Sequence, residues 1–270
     1  MSIQAIKELR ERTHLGMTEC KSALDEAQGD VEKAVEILQK RGSLKKADSL
    51  RETREGLVRA LVVDGVGKIA ELNCETDFAA KSELFSVYMN KVLTSPEKTG
   101  ISFESLLEEG NFLAKQLGEG TRLRKFDFLK LDNSVIAAYN HHSGKIAVLL
   151  GIVVDSSSPE LLEFADELAM QIAANNPLSL DRSSMSDEIA HKQLDLFESQ
   201  AKDQFAGKPQ QMIEKIINGK MDKWYQENCL MEQESIVHPK QKISVLADSL
   251  QKKLNIKFSV SKFVRYELGA

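Results

Sequence analysis

The chain has 270 residues, 42% apolar and 29% charged, with a formal net charge of −5. That length can bury a substantial core and divide into two or more domains. The acidic balance excludes a long nucleic-acid backbone as the dominant partner, which would require clustered, uncompensated Lys and Arg.

One basic segment, Lys40 to Arg59, also carries Asp48, Glu52 and Glu55 and has no interleaved aromatics. It reads as solvated linker rather than as an RNA site. Cys20, Cys74 and Cys229 are odd in number and far apart, which excludes a disulfide framework and a C-x-x-C pair. The first residues show neither a signal-peptide core nor an Arg-rich transit segment. The longest apolar run, Ile146 to Val154, is too short to cross a bilayer. The expectation is a reduced, soluble, cytoplasmic protein with no membrane partner, of bacterial rather than organellar type.

Residues 1–42 read as three short helices. Ile3, Ile6 and Leu9 share one face of the first, which should end near Thr13 and His14. Gly16-Met17-Thr18 reads as a tight loop with Thr18 as the next cap, and Met17, Cys20, Ala23, Leu24 and Ala27 as a buried stripe. Gly29 stops that helix, Asp30 caps a third, and Gly42 ends it. Three such helices resemble the ubiquitin-associated domain, a small docking module. Residues 43–56 lose periodicity and read as a linker, with strands beginning at Leu57.

An internal repeat organises the chain from Leu57 onward. Residues 57–85 align without a gap on residues 134–162, so that Gly67-Lys68-Ile69-Ala70 recurs as Gly144-Lys145-Ile146-Ala147. Each copy reads as strand, tight turn, strand and helix, with the extended patterns Arg122–Leu131 and Phe258–Leu268 as third strands. The fold class is therefore α+β: a three-helix head and a duplicated core of two antiparallel three-stranded units, each covered by helices on one face. The expected boundaries are 1–42 for the head, 43–56 for the linker, 57–132 for the first core unit, and 133–186 plus 232–270 for the second. Residues 187–231 interrupt the second unit. There Ala190, Leu194, Phe197 and Ala201, then Met212, Ile213, Ile216, Ile217 and Trp224, mark two helices broken at Gly207-Lys208-Pro209. They should fold back as an antiparallel coiled-coil hairpin, each arm covering the other.

The two copies diverge at one stretch. After Leu149 the second continues as a plain strand, Leu150-Gly151-Ile152-Val153-Val154, then Asp155. The first has Asn73-Cys74-Glu75-Thr76-Asp77-Phe78 there, with Phe78 opposite Asp155. A lone aromatic among polar residues either returns to the core or is offered to a partner, and the residues alone leave both open.

Catalytic motifs are missing. Gly67-Lys68 and Gly144-Lys145 lack the earlier Gly and the following Ser or Thr of a P-loop. Gly118-Glu119-Gly120 lacks the strand-turn-helix setting of a dinucleotide site. His141 and His142 would point to opposite faces of a strand and read as turn residues rather than metal ligands. Cys74 sits in a strand pattern with no nearby His, so a buried thiol is favoured over a nucleophile. The chain reads as a binder with no catalytic residues, metal or cofactor.

Two motifs resemble the translation elongation factor Ts family: Leu9-Arg10-Glu11-Arg12-Thr13 with Gly16-Met17 and Cys20-Lys21-Ser22-Ala23-Leu24, and Glu71-Leu72-Asn73-Cys74-Glu75-Thr76-Asp77-Phe78 with Lys81. The order of modules is similar from end to end. The resemblance implies a non-enzymatic guanine-nucleotide exchange factor for elongation factor Tu, in its GDP-bound and nucleotide-free forms. It implies that Thr76, Asp77, Phe78 and Ala79 act near the GTPase's magnesium and phosphate site, with Phe78 as a wedge. It implies that Arg10, Met17 and Lys21 meet a helix of the G domain, and it leaves a homodimer or two-to-two complex open. The head alone would instead imply an adaptor of the ubiquitin-associated type. The chain departs from the family at Ala79, where Val is usual, and at Thr18, where many relatives have Met. It also stops at Ala270, so a C-terminal helix that touches the G domain in some relatives is not expected.

Overall fold

The computed structural model describes residues 3–13, 17–40, 53–95, 110, 113–205 and 209–270. The expected loop at Gly16, the helix end at Gly42, most of the linker, and Gly207-Lys208 lie outside these residues. The described elements run α1 (Ile3–Thr13), α2 (Met17–Glu26), α3 (Val31–Lys40), β1 (Glu55–Val63), β2 (Val66–Cys74), α4 (Asp77–Ala80) and α5 (Glu83–Thr94). They continue as β3 (Thr121–Leu129), β4 (Ser134–Asn140), β5 (Ile146–Val154), α6 (Pro159–Asn175), α7 (Asp187–Gln204), α8 (Gln210–Asn228), α9 (Ile243–Leu254) and β6 (Phe258–Glu267). This is an α+β chain with two three-stranded sheets, ordered β1-β2-β3 and β4-β5-β6. The expected third strands fall on β3 and β6. Strand β1 starts at Glu55, two residues before the alternation becomes visible.

The chain forms two compact units, residues 1–56 with 72–124, and residues 57–71 with 125–270. In the first unit, α1, α2 and α3 close on Leu9, Cys20, Ala23, Leu24, Ala34 and Leu38. Thr13 ends α1 by donating its hydroxyl to Leu9 O at 2.6 Å. Gly29 N–H donates to Leu24 O at 2.8 Å, and Asp30 Oδ1 caps α3 by accepting from Lys33 N–H at 3.1 Å. Two expectations for α2 change. Thr18 is its second residue rather than its cap, and Met17 is 60% exposed rather than part of the buried stripe. The same unit holds α5, which buries Phe85, Tyr88, Met89, Val92 and Leu93 at helical spacing.

In the second unit β5 is antiparallel to both neighbours, with Ala137 opposite Leu150 on one side and Phe263 opposite Leu150 on the other. One face of this sheet presents Val148, Leu150, Ile152 and Val154 to Leu161, Phe164, Leu168 and Ile172 of α6 and to Ile243 and Ala247 of α9. The other face is also covered. Ala147, Leu149 and Tyr266 pack with Val58, Ala60, Ile69 and Leu129. Helices on one face were expected; a second, sheet-lined core fills the opposite side. That explains why β5 is nearly continuously apolar instead of alternating, since both sets of side chains leave water. At the edge of β1, Asn140 pairs its side-chain amide with Ala60, and Val58 N–H donates to Gly144 O at 2.7 Å.

Helices α7 and α8 pack against each other. At their base Arg182 makes a two-pronged contact with Glu232, at 2.6 and 2.8 Å, and a further one with Asp222 at 2.8 Å. Its guanidinium also lies over the Tyr225 ring, 4.7 Å from the centroid. Buried Gln171 on α6 fixes the segment leading to α9. Its Nε2 donates to Gln233 Oε1 and Glu234 O, and its Oε1 accepts from Ile236 N–H at 2.9 Å.

Candidate partner-binding site

Strand β2 ends at Cys74, three positions earlier than the aligned β5, because Asn73-Cys74-Glu75 gives way to a helix start. Asn73 and Cys74 are buried, and from Glu75 onward the chain turns outward, part-buried through Asp77 and exposed at Phe78. Thr76 then takes an extended conformation and caps α4, accepting from Ala79 N–H at 3.2 Å. Asp77 stands at the first position of α4, where a carboxylate complements the exposed N–H groups. Lys81 Nζ reaches back to Asp77 Oδ2 at 2.7 Å. That hydrogen bond holds the Asp77 carboxyl below the ordinary carboxylate range and raises Lys81.

Phe78 is 81% exposed, the most exposed of the large apolar side chains among the described residues. Ala79 beside it is buried. The alternation is a local consequence of the cap: the helix turn that sends Ala79 and Ala80 inward sends Phe78 outward. Of the two readings open for Phe78, the structure selects exposure. Ser82 closes the far side, donating to Ala79 O at 2.7 Å and capping α5 through Phe85 N–H at 3.2 Å.

The loop Gly118-Glu119-Gly120 lies against the start of this segment. Thr76 Oγ1 donates to the Glu119 carboxylate at 2.9 and 3.0 Å, and Gly120 N–H donates to Glu75 Oε1 at 2.9 Å. Gly118 has φ +70°, a left-handed conformation that favours glycine, and a Cβ at Gly120 would stand 2.9 Å from Glu75 Oε1, so a larger residue there would displace the Glu75 carboxylate. Its pattern excluded a dinucleotide site and gave no other role to the loop. The signal it did carry was a carboxylate between two glycines directly before a strand.

Cys74 is completely buried, and its thiol donates to Thr76 O at 3.1 Å. Burial, reinforced by the Glu119 charge, pushes the thiol up to about 11, the opposite of an activated nucleophile. His141 and His142 lie just past the end of β4 with ring centroids 4.1 Å apart, so they do not point to opposite faces. His141 Nδ1 is 2.8 Å from Ser143 Oγ. Among the described residues no group of three or more His, Cys, Asp or Glu side chains could hold a metal ion. None of the described helices is long and apolar enough to cross a membrane.

In the head, Met17 and Lys21 stand one turn apart on α2, both exposed, and Arg10 is exposed on α1. The four residues 76–79 are thus brought together on one short element, while Arg10, Met17 and Lys21 belong to the head helices.

The profile of the family "Elongation factor TS" matches residues 75–270, which include the α4 segment. The chain belongs to the elongation factor Ts family. Relatives named elongation factor Ts cover the head as well. Two are from Clostridium botulinum strains Alaska E43 and Eklund 17B, each 37% identical over all of this chain and 93% of their own length. Another, from Clostridium botulinum ATCC 19397, is 36% identical over all of this chain and 92% of its own length. Membership in the elongation factor Ts family therefore extends to Arg10, Met17 and Lys21 as well as to the Phe78 segment.

Proposed function

We propose that this chain promotes GDP release from elongation factor Tu during translation elongation, by binding the nucleotide-free GTPase more tightly than the loaded one. The observation that carries the reading is the outward Phe78 on a capped helical turn. Thr76 and Ala79 set the turn, Asp77 accompanies the ring, and together they act at the magnesium and phosphate end of the nucleotide pocket. Arg10, Met17 and Lys21 give the head a second contact on the G domain. No bond is made or broken in the chain, so the protein is not an enzyme in the chemical sense, and it works in the cytoplasm.

The linkage is reciprocal: whatever factor the nucleotide loses, the exchange factor loses when the nucleotide is present. Loosening a nucleotide by about 10⁴ requires about 5.5 kcal/mol of differential binding. A fully buried Phe supplies about 1.5–3 kcal/mol. The remainder has to come from other patches, which is the physical reason for a head resembling the ubiquitin-associated domain (1–42), a duplicated core and a coiled-coil arm (187–231). Ala79 in place of Val removes two methyl groups, about 1–1.5 kcal/mol of packing at most. That tunes affinity without abolishing the role.

The test is the rate of fluorescent GDP release from elongation factor Tu with Phe78→Ala. A loss of about 10- to 100-fold with an unchanged circular dichroism spectrum is expected. Unchanged exchange would refute the wedge. The exposed Met17 favours one second reading, an adaptor acting through the head, which requires residues 1–42 to bind the partner alone and Phe78 to be dispensable.

A further inference from the structure

We propose that Glu119 is a positioning residue for the Phe78 wedge, acting through the Thr76 hydroxyl; this rests on the exchange reading above. A four-residue helix cannot hold itself, because nucleation fixes several residues for its first hydrogen bond. The Asp77–Lys81 pair lies at the surface, where such pairs contribute little. Phe78 is so exposed that its own packing does little to set its direction. The direction of the ring is therefore inherited from the backbone of residues 76–80.

Two cross-links from the 118–120 loop govern that backbone. Thr76 Oγ1 accepts from Ala79 N–H while donating to both Glu119 oxygens, so one hydroxyl ties the helix start to a carboxylate 43 residues away. A hydroxyl has a single proton to donate, and a charged acceptor holds it more strongly than a neutral one. Gly120 N–H fixes the adjacent Glu75 carboxylate, 45 residues away. Without Glu119 the cap loses its orienting acceptor, and the ring samples directions that do not fit the GTPase. The complex then has to supply the ordering on binding, which lowers the fraction of competent factor.

The test uses the full chain with purified elongation factor Tu and compares Glu119→Ala, Glu119→Gln and Phe78→Ala, alone and combined. Glu119→Ala should slow GDP release about 5- to 30-fold and speed hydrogen exchange at the Ala79 amide, with little change in the unfolding midpoint. Glu119→Gln keeps an acceptor oxygen and should recover most of the rate. Added to Phe78→Ala, Glu119→Ala should have no further effect, since it works through that ring. A full additional loss in that background, or a rate loss without faster Ala79 exchange, overturns the proposal. If Glu119→Ala does not fold, Thr76→Ser against Thr76→Val asks the same question, and equal rates for the two overturn it. Silence of Phe78→Ala would refute the exchange reading itself, whereas a slow Phe78→Ala with a normal Glu119→Ala refutes only the positioning role.

Discussion

Asn140 grips Ala60 with both halves of its side-chain amide. Its Oδ1 accepts from Ala60 N–H at 2.7 Å, and its Nδ2 donates to Ala60 O at 2.9 Å. β1 is an edge strand, and one side chain here does the work of a neighbouring strand. Asn140→Ala leaves both main-chain groups of a buried residue unpaired. The expected loss is about 1–3 kcal/mol, read as a lower urea midpoint at constant slope.

The root of the helical hairpin should be acid-sensitive. Arg182 hydrogen bonds hold the Glu232 carboxyl below its ordinary value of 4.5. A depressed carboxylate stabilises the fold fully above the unfolded-state value, and that contribution is lost as pH falls through the folded-state one. Thermal melts from pH 7 to pH 3 should show a decline below about pH 4.5 that Arg182→Ala reduces. At neutral pH that variant should lose about 1–2 kcal/mol, a figure discounted for the part-exposed pair.

Cys74 gives a prediction of opposite sign. Its folded thiol keeps its proton up to about 11. An unfolded thiol loses its proton near 8.5, so raising the pH above that value favours the unfolded chain. At pH 8 only about one thiol in a thousand is ionised in the folded state. Iodoacetamide should therefore label Cys74 far more slowly in the native protein than in urea. Rapid native labelling would contradict the buried, neutral thiol. Full exchange activity of Cys74→Ala would dispose of thiol chemistry altogether.

How much of the fold and site is legible in the sequence depends on distance along the chain. The strands of the repeat and the helices on either side of Gly207-Lys208-Pro209 can be read because their signals are local. The second core beneath β5 cannot, because Leu149 and Val58 are far apart in sequence and each strand looks complete alone. Asn140 sits at an unremarkable strand end, and its partner is 80 residues away. Met17 follows the helical stripe in spacing but begins its helix, where the apolar face has not yet closed over it. In the candidate site, the stretch that holds Thr76 and Phe78 stands out because the second copy supplies an internal reference, while the role of those two residues comes only from the family resemblance. Glu119 has no such reference, so its contact with Thr76 emerges only in three dimensions.

The hairpin Leu57–Glu71 shares a unit with residues up to 270, and Glu71 accepts from Gly269 N–H at 2.9 Å across 198 positions. Such distant closure makes folding slow, because chain entropy is lost before the contacts that compensate for it form. During synthesis that hairpin cannot bury its inner face until the last strand has left the ribosome. A premature stop within β6 would leave apolar surface from both sheets open to chaperones and proteases.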